Sequence, residues 1–182
     1  MLKKITRNLF ALLTISVLFT ACKKDKDEPN EEELITTVIL TFSPVGGGTP
    51  ATFTFRDLDG PGGTAPSVFQ DIVLSPAKTY TVSSTFTNES VSPAEDVTAE
   101  IVSEGVDHQI YYTPTGANVT VSNLNNDTGG LPLGISSTWT TTTASNGSML
   151  MTLKHKPGIK AAGDLVTKGD TDVEISWVVR IL

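Results

Sequence analysis

Residues 172–181 read Asp172-Val173-Glu174-Ile175-Ser176-Trp177-Val178-Val179-Arg180-Ile181. Val173, Ile175, Trp177, Val179 and Ile181 fall on one parity, and Glu174, Ser176 and Arg180 fall on the other. Side chains alternate across a strand with period two, so this stretch has one apolar face and one mostly polar face, as a half-buried β-strand requires. The pattern recurs upstream. Leu34, Val38, Leu40 and Phe42 share a parity over 34–42, as do Ala51, Phe53 and Phe55 over 51–55. Tyr80, Val82 and Phe86 line up over 78–86, and Met149, Met151, Leu153 and His155 over 148–155. Further strands are expected near 68–74, 107–113, 117–123 and 135–143. Turn chemistry separates them: Gly46-Gly47-Gly48-Thr49-Pro50, then Asp57-Leu58-Asp59-Gly60-Pro61-Gly62-Gly63, then the Asn- and Gly-rich stretch 123–131. About nine strands at this spacing predict an all-β domain, an immunoglobulin-like antiparallel β-sandwich. The Cys…Trp…Cys signature of antibody domains is missing.

One segment breaks the period of two. Ser92-Pro93-Ala94-Glu95 has a capping serine, a proline at the first helical position and a glutamate three residues after the serine. Ala94, Val97 and Ile101 form an apolar stripe, and Gly105 is a suitable stop. A short helix over about 93–104 follows, covering one end or edge of the sheets.

The beginning of the chain has a different character. Lys3, Lys4 and Arg7 precede an apolar run from Leu9 to Phe19, the layout of a secretory signal peptide. The run is shorter than the roughly 20 residues a membrane-spanning helix needs. It ends in Leu18-Phe19-Thr20-Ala21-Cys22, which resembles the lipobox of bacterial lipoproteins. In that family a small residue precedes a cysteine whose thiol receives diacylglycerol before cleavage. Phe19 stands where leucine is usual. Cys22 is the single cysteine of the chain, and an exported protein with one thiol has no internal disulfide to form. Several acyl chains on Cys22 give durable anchoring, at about 0.8 kcal/mol per buried methylene. Residues 23–33, KKDKDEPNEEE, contain no apolar residue and read as a flexible tether. Its acidic end also resembles the surface-export signals of Bacteroidota lipoproteins. The expected organisation is a signal peptide over 1–21, a lipidated cysteine and charged tether over 22–33, and a β-sandwich over 34–182. The expected address is the outer membrane or cell surface.

The formal net charge is −7, and removing Lys3, Lys4 and Arg7 with the signal takes it to −10. Phosphate neutralisation supplies most nucleic-acid affinity, so an acidic chain without a basic stripe excludes that partner class. No HExxH, GxSxG, P-loop, GxGxxG or CxxC motif occurs, and the chain reads as a non-enzyme. Three features carry candidate chemistry. Glu100 and Glu104 lie four apart on one helix face, with His108 just beyond the stop. Two carboxylates beside an imidazole form a ligand set for a divalent metal; they also suit a solvated helix face and a core-parity histidine. Asp57-Leu58-Asp59-Gly60 resembles the start of a calcium loop, although Val68 stands at position 12 where the bidentate glutamate belongs. Asp-Gly is ordinary turn chemistry as well. His155 sits on a core parity at a strand end, as a structural histidine or as a ligand if it meets His108 in space.

Leu34-Ile35-Thr36-Thr37-Val38, Asp57-Leu58-Asp59-Gly60, Glu95-Asp96-Val97-Thr98-Ala99-Glu100-Ile101, His108-Gln109, Leu153-Lys154-His155-Lys156-Pro157 and Gly169-Asp170-Thr171-Asp172-Val173 occur in that order. This set resembles small envelope lipoproteins of Bacteroidota labelled "type 1 periplasmic binding fold superfamily protein". The resemblance implies an envelope address and no defined reaction. The fold named in the label needs strands alternating with long helices in two lobes, whereas the periodicity here reads as a sandwich. The leading functional reading is therefore a lipid-anchored, non-enzymatic envelope protein that binds a protein or glycan partner. The alternative is an envelope lipoprotein that binds a metal or small ligand through Glu100, Glu104, His108 and His155. No other cofactor is implied.

Overall fold

A computed structural model describes residues 34–60 and 62–182. The signal peptide, Cys22 and the tether lie outside the described residues. The chain forms β1 (Thr37–Pro44), β2 (Ala51–Arg56), β3 (Val68–Phe69), β4 (Ile72–Leu74), β5 (Thr79–Thr87), α1 (Val97–Ser103), β6 (His108–Thr115), β7 (Val119–Ser122), β8 (Ser136–Thr141), β9 (Ser145–His155) and β10 (Asp170–Ile181). One sheet has the order β3-β2-β1-β5-β8-β7 and the other the order β4-β10-β9-β6. Every pairing is antiparallel except β4 with β10, which is parallel.

The two sheets pack as a sandwich around one core. Val38, Leu40, Phe42, Val82, Phe86 and Trp139 from the first sheet meet Ile110, Met149, Met151, Leu153, Trp177 and Val179 from the second, all fully buried. Aromatic edges cross the gap: Trp139 lies 5.6 Å from Tyr112, and Trp177 lies 6.4 Å from Phe55 and 5.6 Å from Phe69. Ser84 Oγ and Tyr112 Oη share a 2.8 Å hydrogen bond between the sheets. Burial pushes the Tyr112 hydroxyl up to about 12, so it stays a neutral donor. Among the described residues these side chains form one continuous core.

Five local expectations need correction. The strand near 68–74 is two strands. Gln70 ties its backbone and side chain to Thr54, and the chain then leaves the first sheet to join the second at Ile72. This crossing delivers Ile72 and Leu74 to the core. Leu34 precedes β1 and is 53% exposed, and Ala51 is exposed at the outer end of the β1–β2 hairpin. The helix starts at Val97 rather than near residue 93. Glu95 is committed to a backbone bridge with Asn88, so Asp96 becomes the cap and accepts from the Ala99 N–H at 3.2 Å. Val97 and Ile101 are buried, as the stripe requires, while Ala94 is exposed. No helix among the described residues is long and apolar enough to cross a membrane.

Candidate functional site

The inward parity of β6 runs His108, Ile110, Tyr112, and that of β9 runs Met149, Met151, Leu153, His155. Antiparallel register sets His108 directly opposite His155. Directly opposed residues on one face bring their side chains into contact, and the two imidazoles stack with centroids 4.5 Å apart and planes 4° from parallel. The pair closes one end of the inner face, next to Ile110 and Leu153. His108 is fully buried and His155 half-buried.

Helix α1 delivers the third group. Glu104 is its C-cap residue, and the chain turns through Gly105 so that His108 follows one turn later. Space at Gly105 is tight, since a Cβ there would meet Val102 O, Asp127 Cβ and Leu133 Cδ2 at 3.2–3.3 Å. One ligand atom each from Glu104, His108 and His155 lie within 4.8 Å of one another. Donors around one tetrahedral zinc ion at 2.0–2.2 Å are about 3.3–3.6 Å apart, so side-chain movements of up to about an ångström bring the set to bonding distance. This is the one such group of three among the described residues.

The fourth member comes from β10. Its pairing with β9 shifts between Thr171 and Val173, a β-bulge that leaves Asp172 out of register. The Asp172 carboxylate is thereby carried inward, fully enclosed, with Oδ2 3.8 Å from His108 Nε2. On the other side of that ring, His108 Nδ1 lies 3.2 Å from the Glu104 carbonyl oxygen. Both ring nitrogens of His108 thus face oxygen atoms, Nδ1 the Glu104 carbonyl and Nε2 the Asp172 carboxylate. The Nδ1 of His155 is buried without a hydrogen-bond partner, a lone pair or N–H held ready at the cluster.

Glu100 is exposed on the helix and does not join this group of three. In the 57–64 loop the two aspartates diverge in role. Asp59 is exposed and caps the turn, accepting from Thr64 N at 2.8 Å and from Thr64 Oγ1 at 2.9 Å. Those two bonds hold its carboxyl below the usual range. Asp57 is only 8% exposed, and its Oδ1 has no hydrogen-bond partner. Burial, followed by the neighbouring Asp59, raises its carboxyl. Asp57 and Asp172 line the same cleft, of about 280 Å³, between the end of β2 and the start of β10.

A second polar cluster lies across the sheet. Lys156 is fully buried, donating to Gln109 Oε1 at 3.0 Å and to Tyr111 Oη, with Asp164 Oδ2 at 3.6 Å. Burial lowers the Lys156 ammonium, against the pull of Asp164. Tyr111 Oη donates in turn to the Asp164 carbonyl, so this cluster fastens the 157–169 loop over the outer face of β6 and β9. Asp172 is the site residue that sequence reasoning missed. Its parity placed it outward, and only the bulge reverses it.

No protein-family model, curated protein or solved structure matches the chain.

Proposed function

We propose that this protein is exported, anchored to the outer membrane or cell surface through lipid on Cys22, and acts there by binding rather than by catalysis. Its β-sandwich holds a divalent transition-metal ion at Glu104, His108 and His155, with Asp172 next to His108. The observation that carries this reading is the convergence of the buried His108, the half-buried His155 and the exposed Glu104 where one end of the core meets the surface. Imidazole and carboxylate are the donor types that zinc, nickel and copper accept. The contact from His108 Nδ1 to the Glu104 carbonyl is the kind of outer-shell support that fixes the ring of a metal-bound histidine. The lipobox-like Leu18-Phe19-Thr20-Ala21-Cys22 and the charged tether support the anchoring half of the reading.

The two halves are tested separately. Residues 23–182 should take up one zinc or cobalt ion per molecule in equilibrium dialysis, with the visible absorption of cobalt reporting nitrogen ligation. His155→Ala should weaken uptake by at least about tenfold while the domain still melts cooperatively. Failure to take up stoichiometric metal, or unchanged uptake by His155→Ala, defeats the metal reading. For the anchor, Cys22→Ser should abolish acyl labelling in cells and leave the precursor uncleaved. Persistent labelling of that variant defeats the anchoring claim.

A further inference from the structure

The polarity of the loop joining β9 to β10 is reversed. Lys156 is fully buried, and the side chains of Lys160 and Asp164 are 1% and 9% exposed. Lys168, at 38%, is the exception, and it pairs with Asp164 at 2.9 Å. Leu165 is instead 72% exposed and Ile159 48%, with Val166 exposed beside Leu165. One exposed leucine is ordinary, but lysine and aspartate are rarely the buried members of a loop whose aliphatic side chains face water. The loop is also pinned. Lys160 Nζ donates to the Gly105 carbonyl at 2.7 Å, and Gly158 N donates to Asp107 Oδ1 at 2.9 Å. Residues 158–160 therefore run beside the turn from α1 to β6, where Val106 is exposed as well. Side chains already held outward by a pinned loop lose little further freedom on docking.

The start of β1 lies at this same end of the sandwich. Thr37 pairs with Arg56 and Thr87, while His108, His155 and Asp170 align in the second sheet. The cleft lined by Ile35, Asp57 and Thr171 joins these two sheet ends. Leu34 is exposed here, and the chain leads back from it through residues 23–33 to Cys22. Eleven residues span at most about 40 Å, so a lipidated Cys22 keeps this end within reach of the bilayer at high effective concentration. Glu100 and Glu104 are exposed on α1, which disfavours an anionic lipid surface and leaves a zwitterionic one.

We infer that the 157–169 loop docks on a zwitterionic phospholipid surface, with Ile159, Leu165 and Val166 entering the boundary between headgroups and acyl chains. The inference rests on lipid anchoring at Cys22 and is independent of metal at the histidines. Buried apolar area supplies the contact, to a depth of about 5–10 Å.

The test uses the full chain, expressed in cells, purified from membranes and reconstituted in phosphatidylcholine vesicles. Cys22 is the single cysteine, so with its thiol acylated a Leu165→Cys variant offers one site for an environment-sensitive fluorophore. A Val45→Cys variant labels the opposite end, after β1, at a side chain that is also exposed. On vesicles the label at position 165 should shift its emission to the blue. It should lose fluorescence when the vesicles contain lipid carrying a nitroxide near the headgroup. The label at position 45 should do neither. An unshifted label at 165 on vesicles that carry the protein, or equal quenching at the two positions, would overturn the inference while the anchor stands. A blue shift without quenching by the nitroxide lipid would put a second copy of the chain on the loop and overturn it as well. Failure of the protein to float with the vesicles would defeat the anchoring reading, and this inference with it.

Discussion

The two tryptophans are a matched pair that differ in one hydrogen bond. Both are fully buried, both face the gap between the sheets, and both pack edge-on against two other aromatic rings. Trp139 Nε1 donates to Ser137 Oγ at 3.0 Å, whereas Trp177 Nε1 is buried without a partner. Replacing either by phenylalanine removes a similar volume, at about 1–2 kcal/mol of lost packing. The polar consequences run in opposite directions. Trp139→Phe strips the donor from Ser137, which is 3% exposed, and stranding a buried hydroxyl adds about 1–3 kcal/mol. Trp177→Phe deletes an unpaired donor and returns a comparable amount. Trp177→Phe should therefore be the milder change by at least about 1.5 kcal/mol. Urea denaturation is the assay. The chain has two tryptophans, so each variant keeps one as a fluorescent reporter of the transition. With slopes of about 1–3 kcal/mol/M, the midpoints should differ by roughly 0.5–1.5 M. Equal midpoints, or a lower midpoint for Trp177→Phe, would refute the assignment of hydrogen bonds in the core.

Three further outcomes follow from other parts of the sandwich. Gly147→Ala would place a Cβ 2.2 Å from Ala117 N and 2.4 Å from Thr115 O; backbone must move, so a loss of about 1–3 kcal/mol or more should appear as a lower melting temperature, and a neutral result would mean that β6 and β9 do not approach as closely as described. Lys160 Nζ reaches Asp127 Oδ2 at 2.6 Å and the Gly105 carbonyl at 2.7 Å, with both side chains 1% exposed. Lys160→Met strands the Asp127 carboxylate and should cost about 3–5 kcal/mol, while Lys160→Met with Asp127→Leu should recover most of it; no recovery in the double variant would mean that the ion pair is not the cause. The Asp57 carboxyl is raised in the folded state, so it contributes stability below its ordinary value near 3.8 and that contribution is lost as pH rises through the folded value. Asp57→Asn cannot ionise, so its melting temperature should fall less than that of the parent between about pH 4 and pH 7; parallel curves would show that Asp57 is not perturbed.

Much of the scaffold is legible in residue order alone. The parity of Val173, Ile175, Trp177, Val179 and Ile181 defines the face of β10 that is buried. Met149, Met151 and Leu153 do the same for β9, and Val38, Leu40 and Phe42 for β1. These readings hold because alternation is a property of the strand backbone, and a one-residue slip would turn Glu174, Ser176 and Arg180 inward. Glu104, His108 and His155 are recognisable as ligand types by the same local reading. The tertiary structure alone decides that they meet. His155 is 47 residues from His108, and their stacking depends on the β6–β9 register, which no local signal specifies. The helix start moved because Glu95 was claimed by Asn88, 7 residues away. The strand near 68–74 divided because Gln70 and Ile72 found partners in different sheets. Asp172 is the sharpest case. Its parity marks it as solvent-facing, yet one bulge in the pairing with β9 turns it into the core beside His108. Periodicity is fixed within a few residues by backbone geometry, whereas register, bulges and sheet crossings are settled by the packing of both sheets at once, and the candidate site is built from those.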